Sequence, residues 1–122
     1  MTDTFSHRDF AISAAIVSSI SKGLWLDAAL QDYLAQIETT YEVFAGNRRD
    51  AEVSTIRKAF WRASRQAGAR IGELVYVSGK ERYSIEWHLK SRNHETTVLY
   101  FACHRIAEES IKRVLRRLEV QH

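Results

Sequence analysis

A carboxylate, an imidazole and two cations stand close together in Glu86, His88, Lys90 and Arg92. Spaced two apart, Glu86, His88 and Lys90 fall on one face of an extended strand, with Arg92 in the join just after it. Such a face suits metal-independent RNA cleavage. His88 or Glu86 would take the proton of a 2′-hydroxyl, and Arg92 or Lys90 would steady the phosphate. Any solvent-facing strand carries similar residue types, so Glu86, His88 and Arg92 form a candidate catalytic trio with no motif behind it.

A second chemistry is written in charge. Arg48, Arg49, Arg57, Lys58, Arg62, Arg65 and Arg70 meet only Asp50 and Glu52, so residues 48 to 70 carry a net charge of plus five. Lys58, Arg62 and Arg65 follow i, i+4, i+7 spacing, which is one stripe of a helix, and Trp61 lies beside them. Guanidinium and ammonium groups in such a row can track a phosphate backbone while an aromatic ring stacks on a base. The competing expectation is that Trp61 tucks into the core and the arginines pair with the acidic first helices. A smaller basic run, Lys112, Arg113, Arg116 and Arg117, follows Glu108 and Glu109. Lys112 and Arg113 have i, i+4 carboxylate partners in that run, which leaves Arg116 and Arg117 as a possible extension of the first surface.

Other chemistries find little support. His88, His94, Cys103 and His104 fall on or beside adjacent expected strands, but Cys103 and His104 are consecutive and would face opposite ways, so no metal site is expected. There is no glycine-rich phosphate loop, nucleophile elbow or HExxH sequence, and no cofactor is implied. The single cysteine points to a reducing, cytoplasmic setting, with Cys103 as a core residue. The most apolar stretch, residues 10 to 20, is about half the roughly 20 residues a bilayer span needs. It also lacks the basic start and small-residue cleavage site of a secretory signal.

The elements that would position these groups follow from periodicity over 122 residues, a length that can bury a core without disulfides or metal. Ser6-His7-Arg8-Asp9 has the form of a capping box, and Phe10, Ile12, Ile16, Val17 and Ile20 keep helical spacing up to Lys22-Gly23. A second helix is expected from Leu24 to about Ala45, ending at Gly46 and making an antiparallel hairpin over residues 6–46 with the first. Trp25, near its start, fits either the core or an interface. A third helix runs from about Asp50 to Ala67, with Gly68 as its stop.

Beyond Gly72 the apolar period shortens to two. Leu74 to Val77, then Tyr83, Ile85, Trp87 and Leu89, then Thr96 to Cys103 predict three strands of an antiparallel meander. The polar joins are Ser78 to Glu81 and Ser91 to Glu95. Ile85, Trp87 and Leu89 would then face the core. A last helix is expected from about Arg105 to Val120.

The expectation is one α+β domain over residues 1–122, ordered α-α-α-β-β-β-α, with a three-stranded sheet and its helices packed on one face. Residues 50–120 form its basic α-β-β-β-α part. That order is similar to double-stranded-RNA-binding domains, which grip an A-form duplex by shape and phosphates. The likeness is one of topology alone, because the last helix opens on Cys103-His104-Arg105 and two glutamates instead of a basic cluster.

Charge is divided along the chain. Residues 1–47 hold two basic and six acidic residues, and residues 48–122 hold sixteen basic and nine acidic. This polarity predicts a small non-catalytic binding protein that contacts RNA or DNA through the basic third helix and the nearby hairpin. A protein-binding inhibitor or adaptor acting on a host complex, such as mobile elements encode, and a metal-independent ribonuclease are the alternatives. No membrane partner is expected.

Overall fold

The computed structural model describes residues 25–92 and 97–121. The expected first helix, its capping box at Ser6 to Asp9 and the apolar stretch 10–20 lie outside the described residues, as does His94. The described residues from 25 to 36 are helical and form α1. There follow α2 (Tyr41–Ala45), α3 (Ala51–Gln66), α4 (Ile71–Ser78), α5 (Arg82–Lys90) and α6 (Val98–Gln121).

The expected α+β class is overturned, because no strand occurs among the described residues and the first two expected strands, with residues 98–103 of the third, are helical. The cause is visible in α5. Residues alternating at every second position also stand four apart, so Ile85 and Leu89 share one face of a helix while Tyr83 and Trp87 share another. Only Ile85 of these is fully buried, and Trp87, expected in the core, is exposed. In α4 the buried residues Leu74, Val77 and Ser78 keep i, i+3, i+4 spacing and Tyr76 is exposed. Gly79, at φ 66°, closes this helix in the left-handed region, its N–H donating to Val75 O at 3.1 Å. The run Val98 to Cys103 opens α6, well before the expected start at Arg105. Thr97 Oγ1 accepts from the Tyr100 N–H at 3.1 Å, and Tyr100, Cys103, Ala107, Ile111 and Val114 make the buried stripe. The resemblance in element order to double-stranded-RNA-binding domains lapses with the strands.

The expected second helix is interrupted. After α1 the chain turns at residues 37–40, where Glu38 has φ 58°, Thr39 N–H donates to Leu34 O at 3.0 Å and Glu38 N–H to Ala35 O at 3.1 Å. This is a Schellman-type ending with a non-glycine residue in the left-handed position. Thr40 then caps α2, its Oγ1 accepting from Val43 N–H at 3.2 Å. Ile37, Tyr41 and Phe44 still pack inward across the break, which is why their spacing reads as one helix.

α3 is the hub. Ten of its sixteen residues are buried, and α2, α5 and α6 all pack on it, with α4 against α5. Asp50 caps its start, the side chain accepting from Val53 N–H at 3.1 Å, and Gly68 at φ 105° follows its end. Tyr33, Phe44, Phe60 and Trp61 are the largest side chains of the core. Phe60 stacks on Tyr33 at 5.3 Å between centroids and meets Phe44 edge-on at 6.0 Å. Trp25 packs, half-buried, against this core. Asp32 and Arg113, 2.6 Å apart, tie α1 to α6. Among the described residues no helix is long and apolar enough to cross a membrane.

Candidate nucleic-acid interface

The basic residues of α3 lie in a helix that packs on three others, so several of them point into the body of the protein. Arg57 and Lys58 are each only 2% exposed. A buried cation needs partners, and Arg57 finds four carbonyl oxygens at the end of α2 and beyond it. Its Nε donates to Phe44 O at 2.7 Å, Nη1 to Arg48 O at 2.7 Å, and Nη2 to Gly46 O at 2.9 Å and Val43 O at 3.2 Å. Lys80, in the turn between α4 and α5, reaches the same place and donates to Gly46 O at 2.5 Å. Those of Val43, Phe44 and Gly46 are carbonyls that the C-terminus of α2 leaves without helical partners, and their partial negative charge favours a cation.

The end of α5 is served in the same way. Lys58 Nζ donates to Ser91 O, and Arg62 Nη2 donates to Leu89 O at 2.7 Å. The expected stripe Lys58, Arg62 and Arg65 therefore exists on α3, but its members fasten helix ends. Arg65 donates to Ala69 O at 2.7 Å, just past the end of α3.

Between α3 and α5 these cations form the wall of a cleft of about 510 Å³. Arg49, Arg57 and Lys58 contribute from one side, Lys80 from the α4–α5 turn, and Tyr83, Trp87 and His88 from α5. Among the described lining residues Glu81 is the one carboxylate, beside the basic Arg49, Arg57, Lys58 and Lys80. Tyr83 is 76% exposed and Trp87 49% exposed, which leaves two rings accessible at the cleft. A shallower depression of about 410 Å³ continues the α3–α5 seam and is lined by Arg62, Arg65, Glu86 and Lys90, among others.

The titratable groups register the crowding of positive charge. Burial lowers the Lys80 pKa from its ordinary value, and the charges of Arg57 and Arg49 lower it further, against a smaller pull from Glu81. Burial lowers Arg57 in the same direction, with Arg48 and Arg49 adding to the effect and Asp50 opposing it. His88 is lowered by burial, then by Arg57, Lys58 and Lys80, although the Ser84 carbonyl favours its charged form. Its Nδ1 lies 2.8 Å from Ser84 O, an acceptor only, so Nδ1 carries the proton and Nε2 keeps the lone pair of the neutral ring. The rings of Trp61 and Trp87 each lie edge-on to it at 5.2 Å.

The remaining expected site residues are scattered. Trp61 is 0% exposed and its Nε1–H donates to Ser78 Oγ at 2.9 Å, so its faces are closed to any ligand. Arg48 pairs with Asp50 at 2.9 Å on the surface, and Arg70 is exposed just before α4. Arg116 and Arg117 are exposed on α6, outside both depressions. Glu86 pairs with Arg82 at 3.2 Å and lines the shallow depression, whereas His88 lines the cleft, because residues two apart on a helix diverge. Arg92 is exposed past the end of α5 and lines neither depression. The trio Glu86, His88 and Arg92 is thus not gathered at one point.

Tyr83 and Trp87 are site residues that strand-based reading turns towards the core, and Lys80, in a turn as expected, was not singled out as a site residue. Read as a helix, Arg82 to Lys90 puts Tyr83 and Trp87 on one stripe, and that spacing was the available signal. Among the described residues, no group of three or more His, Cys, Asp or Glu side chains is placed to hold a metal. No known protein family, curated protein or solved structure matches this chain. Fold and site define the described residues as a helical assembly with a cationic cleft bordered by aromatic rings.

Proposed function

We propose that this chain is a small, basic, non-catalytic binding protein that holds RNA or DNA by its phosphates along the α3–α5 seam. The observation that carries this reading is the cleft, where Arg49, Arg57 and Lys80 stand together and Glu81 is the one carboxylate among the described lining residues. Arg57 and Lys80 are held by backbone carbonyls and not by carboxylates, so hydrogen bonding satisfies them without cancelling their charge. A polyanion entering the cleft meets that field and displaces its own counterions. A cytoplasmic setting belongs to the same reading, supported by Cys103 as a buried free thiol.

Arg49 is the residue to change, because its side chain is exposed and its loss leaves the helix ends intact. Binding of a labelled oligonucleotide, followed by anisotropy against salt, should weaken steeply as salt rises. Arg49→Ala should bind less tightly and lower the log–log salt slope by about 0.7 to 0.9, the loss of one phosphate contact. Equal affinity and slope in both proteins would remove the cleft as the binding surface. Appearance of cleaved fragments would instead make the protein a nuclease.

A protein-binding adaptor or inhibitor is the second reading. The exposed Val98, Leu99 and Phe101 at the start of α6 favour it, since contiguous apolar exposure marks interaction surfaces.

A further inference from the structure

Resting on the reading above, we infer that the ligand of the α3–α5 cleft is a single-stranded nucleic acid, whose unpaired bases stack on Tyr83 and Trp87 while its phosphates meet Arg49 and Lys80. The two rings stand four residues apart on α5, one turn above the other, and both line the cleft that contains those cations. At 76% and 49% exposure they are the apolar surface α5 turns outward. Large aromatic side chains held in water beside a cationic cleft are a costly arrangement without an occupant, and a base face is the planar partner that comes attached to a phosphate.

A double helix does not offer that partner. Its base faces are buried against one another, and phosphate contacts alone would serve to bind it, leaving both rings without a role. An unpaired strand offers a π-face at every nucleotide and can lay its backbone on the cations of the seam at the same time. The cleft volume of about 510 Å³ falls within the range that houses small organic ligands, which is the scale of a nucleotide and not of a duplex flank. Arg57 and Lys58 supply charge from below, while their hydrogen bonds to carbonyls fix α2 and the end of α5 in place around the opening.

The test uses the full chain with a short mixed-sequence strand, as RNA and as DNA, and with the duplex each forms with its complement. Anisotropy gives affinity, and quenching of tryptophan emission reports contact with an indole. The strand should bind more tightly than the duplex and quench emission. Tyr83→Ala and Trp87→Ala should each weaken strand binding roughly five- to hundredfold, Trp87→Phe should retain most of it, and duplex binding should barely change. Both positions are exposed enough that melting temperatures should stay close to the parent, and circular dichroism checks this. Equal affinity for strand and duplex, or ring variants that bind the strand unchanged, would overturn the inference and leave the phosphate-binding reading standing. Failure of every oligonucleotide to bind would overturn both.

Discussion

Arg57 shows how a basic residue can be structural and still shape the electrostatics of a site. Hydrogen bonds from a charged donor contribute about 1.5–3 kcal/mol each where the partner would otherwise go unsatisfied, and Arg57 makes four of them. Its acceptors are dipoles with no net charge, so the field reaching the cleft stays positive. That field also reaches His88, whose pKa is lowered first by burial and then by Arg57, Lys58 and Lys80. The unfolded chain therefore binds this proton more readily than the folded one. The stabilisation is complete above the unfolded value of about 6.5 and is lost as pH falls from there through the lower folded value. Urea midpoints measured on both sides of this window should be lower on the acid side, and His88→Gln should flatten that difference. An equal acid-side loss in the variant would assign the effect to other groups.

At the scale of the element, the joint between α1 and α2 carries a local strain. Glu38 sits at φ 58°, where a side chain costs about 1–2 kcal/mol and glycine costs little. Glu38→Gly should raise stability by about 1 kcal/mol in urea denaturation, while Glu38→Ala, which keeps the Cβ, should gain nothing. A glycine variant no more stable than the parent would mean the turn does not hold this conformation.

The same elements show what was legible in the sequence. Asp50 and Gly68 mark the ends of α3 because a cap and a stop are local chemistry, and the basic character of residues 48–70 needs only counting. The length from 82 to 90 was ambiguous. Nine residues with alternating apolar positions satisfy a strand and two faces of a short helix equally well, and only packing on α3 decides between them. In the adjacent segment the Glu73 carboxylate accepts from the Arg70 N–H at 2.7 Å, but an arginine at the cap position does not announce a helix start. The destination of Arg57 and Lys58 was not legible, because their acceptors belong to helix ends that appear only once α2 and α5 are in place.

On the scale of the whole molecule, α6 is the long brace. Its 24 residues extend about 36 Å and pack along α3, and Arg113 anchors it to α1 through Asp32. Burial alone would raise the Asp32 pKa, but hydrogen bonds from Arg113 and Ser110, with the charges of Arg113 and Arg117, outweigh it and hold the carboxyl below its usual value. The pair is therefore ionised at neutral pH.

Cys103 sits on the inner side of this brace, 2% exposed, with burial pushing its thiol pKa up. It is the single sulfhydryl of the chain, so the brace carries a stopwatch that needs no label. The thiol lies beside Tyr33 of α1, so a chromogenic disulfide reagent can reach it only when α6 parts from the helices packed against it. Labelling of the native protein should run roughly 1,000-fold or more slower than that of the unfolded chain, corresponding to an opening free energy of about 4 kcal/mol. Its response to low urea then separates two events. A rate that climbs as steeply as global unfolding means the brace lifts only when everything melts. A shallow rise means that α6 breathes independently, and labelling near the rate of the unfolded chain would show that the helix does not seal the thiol.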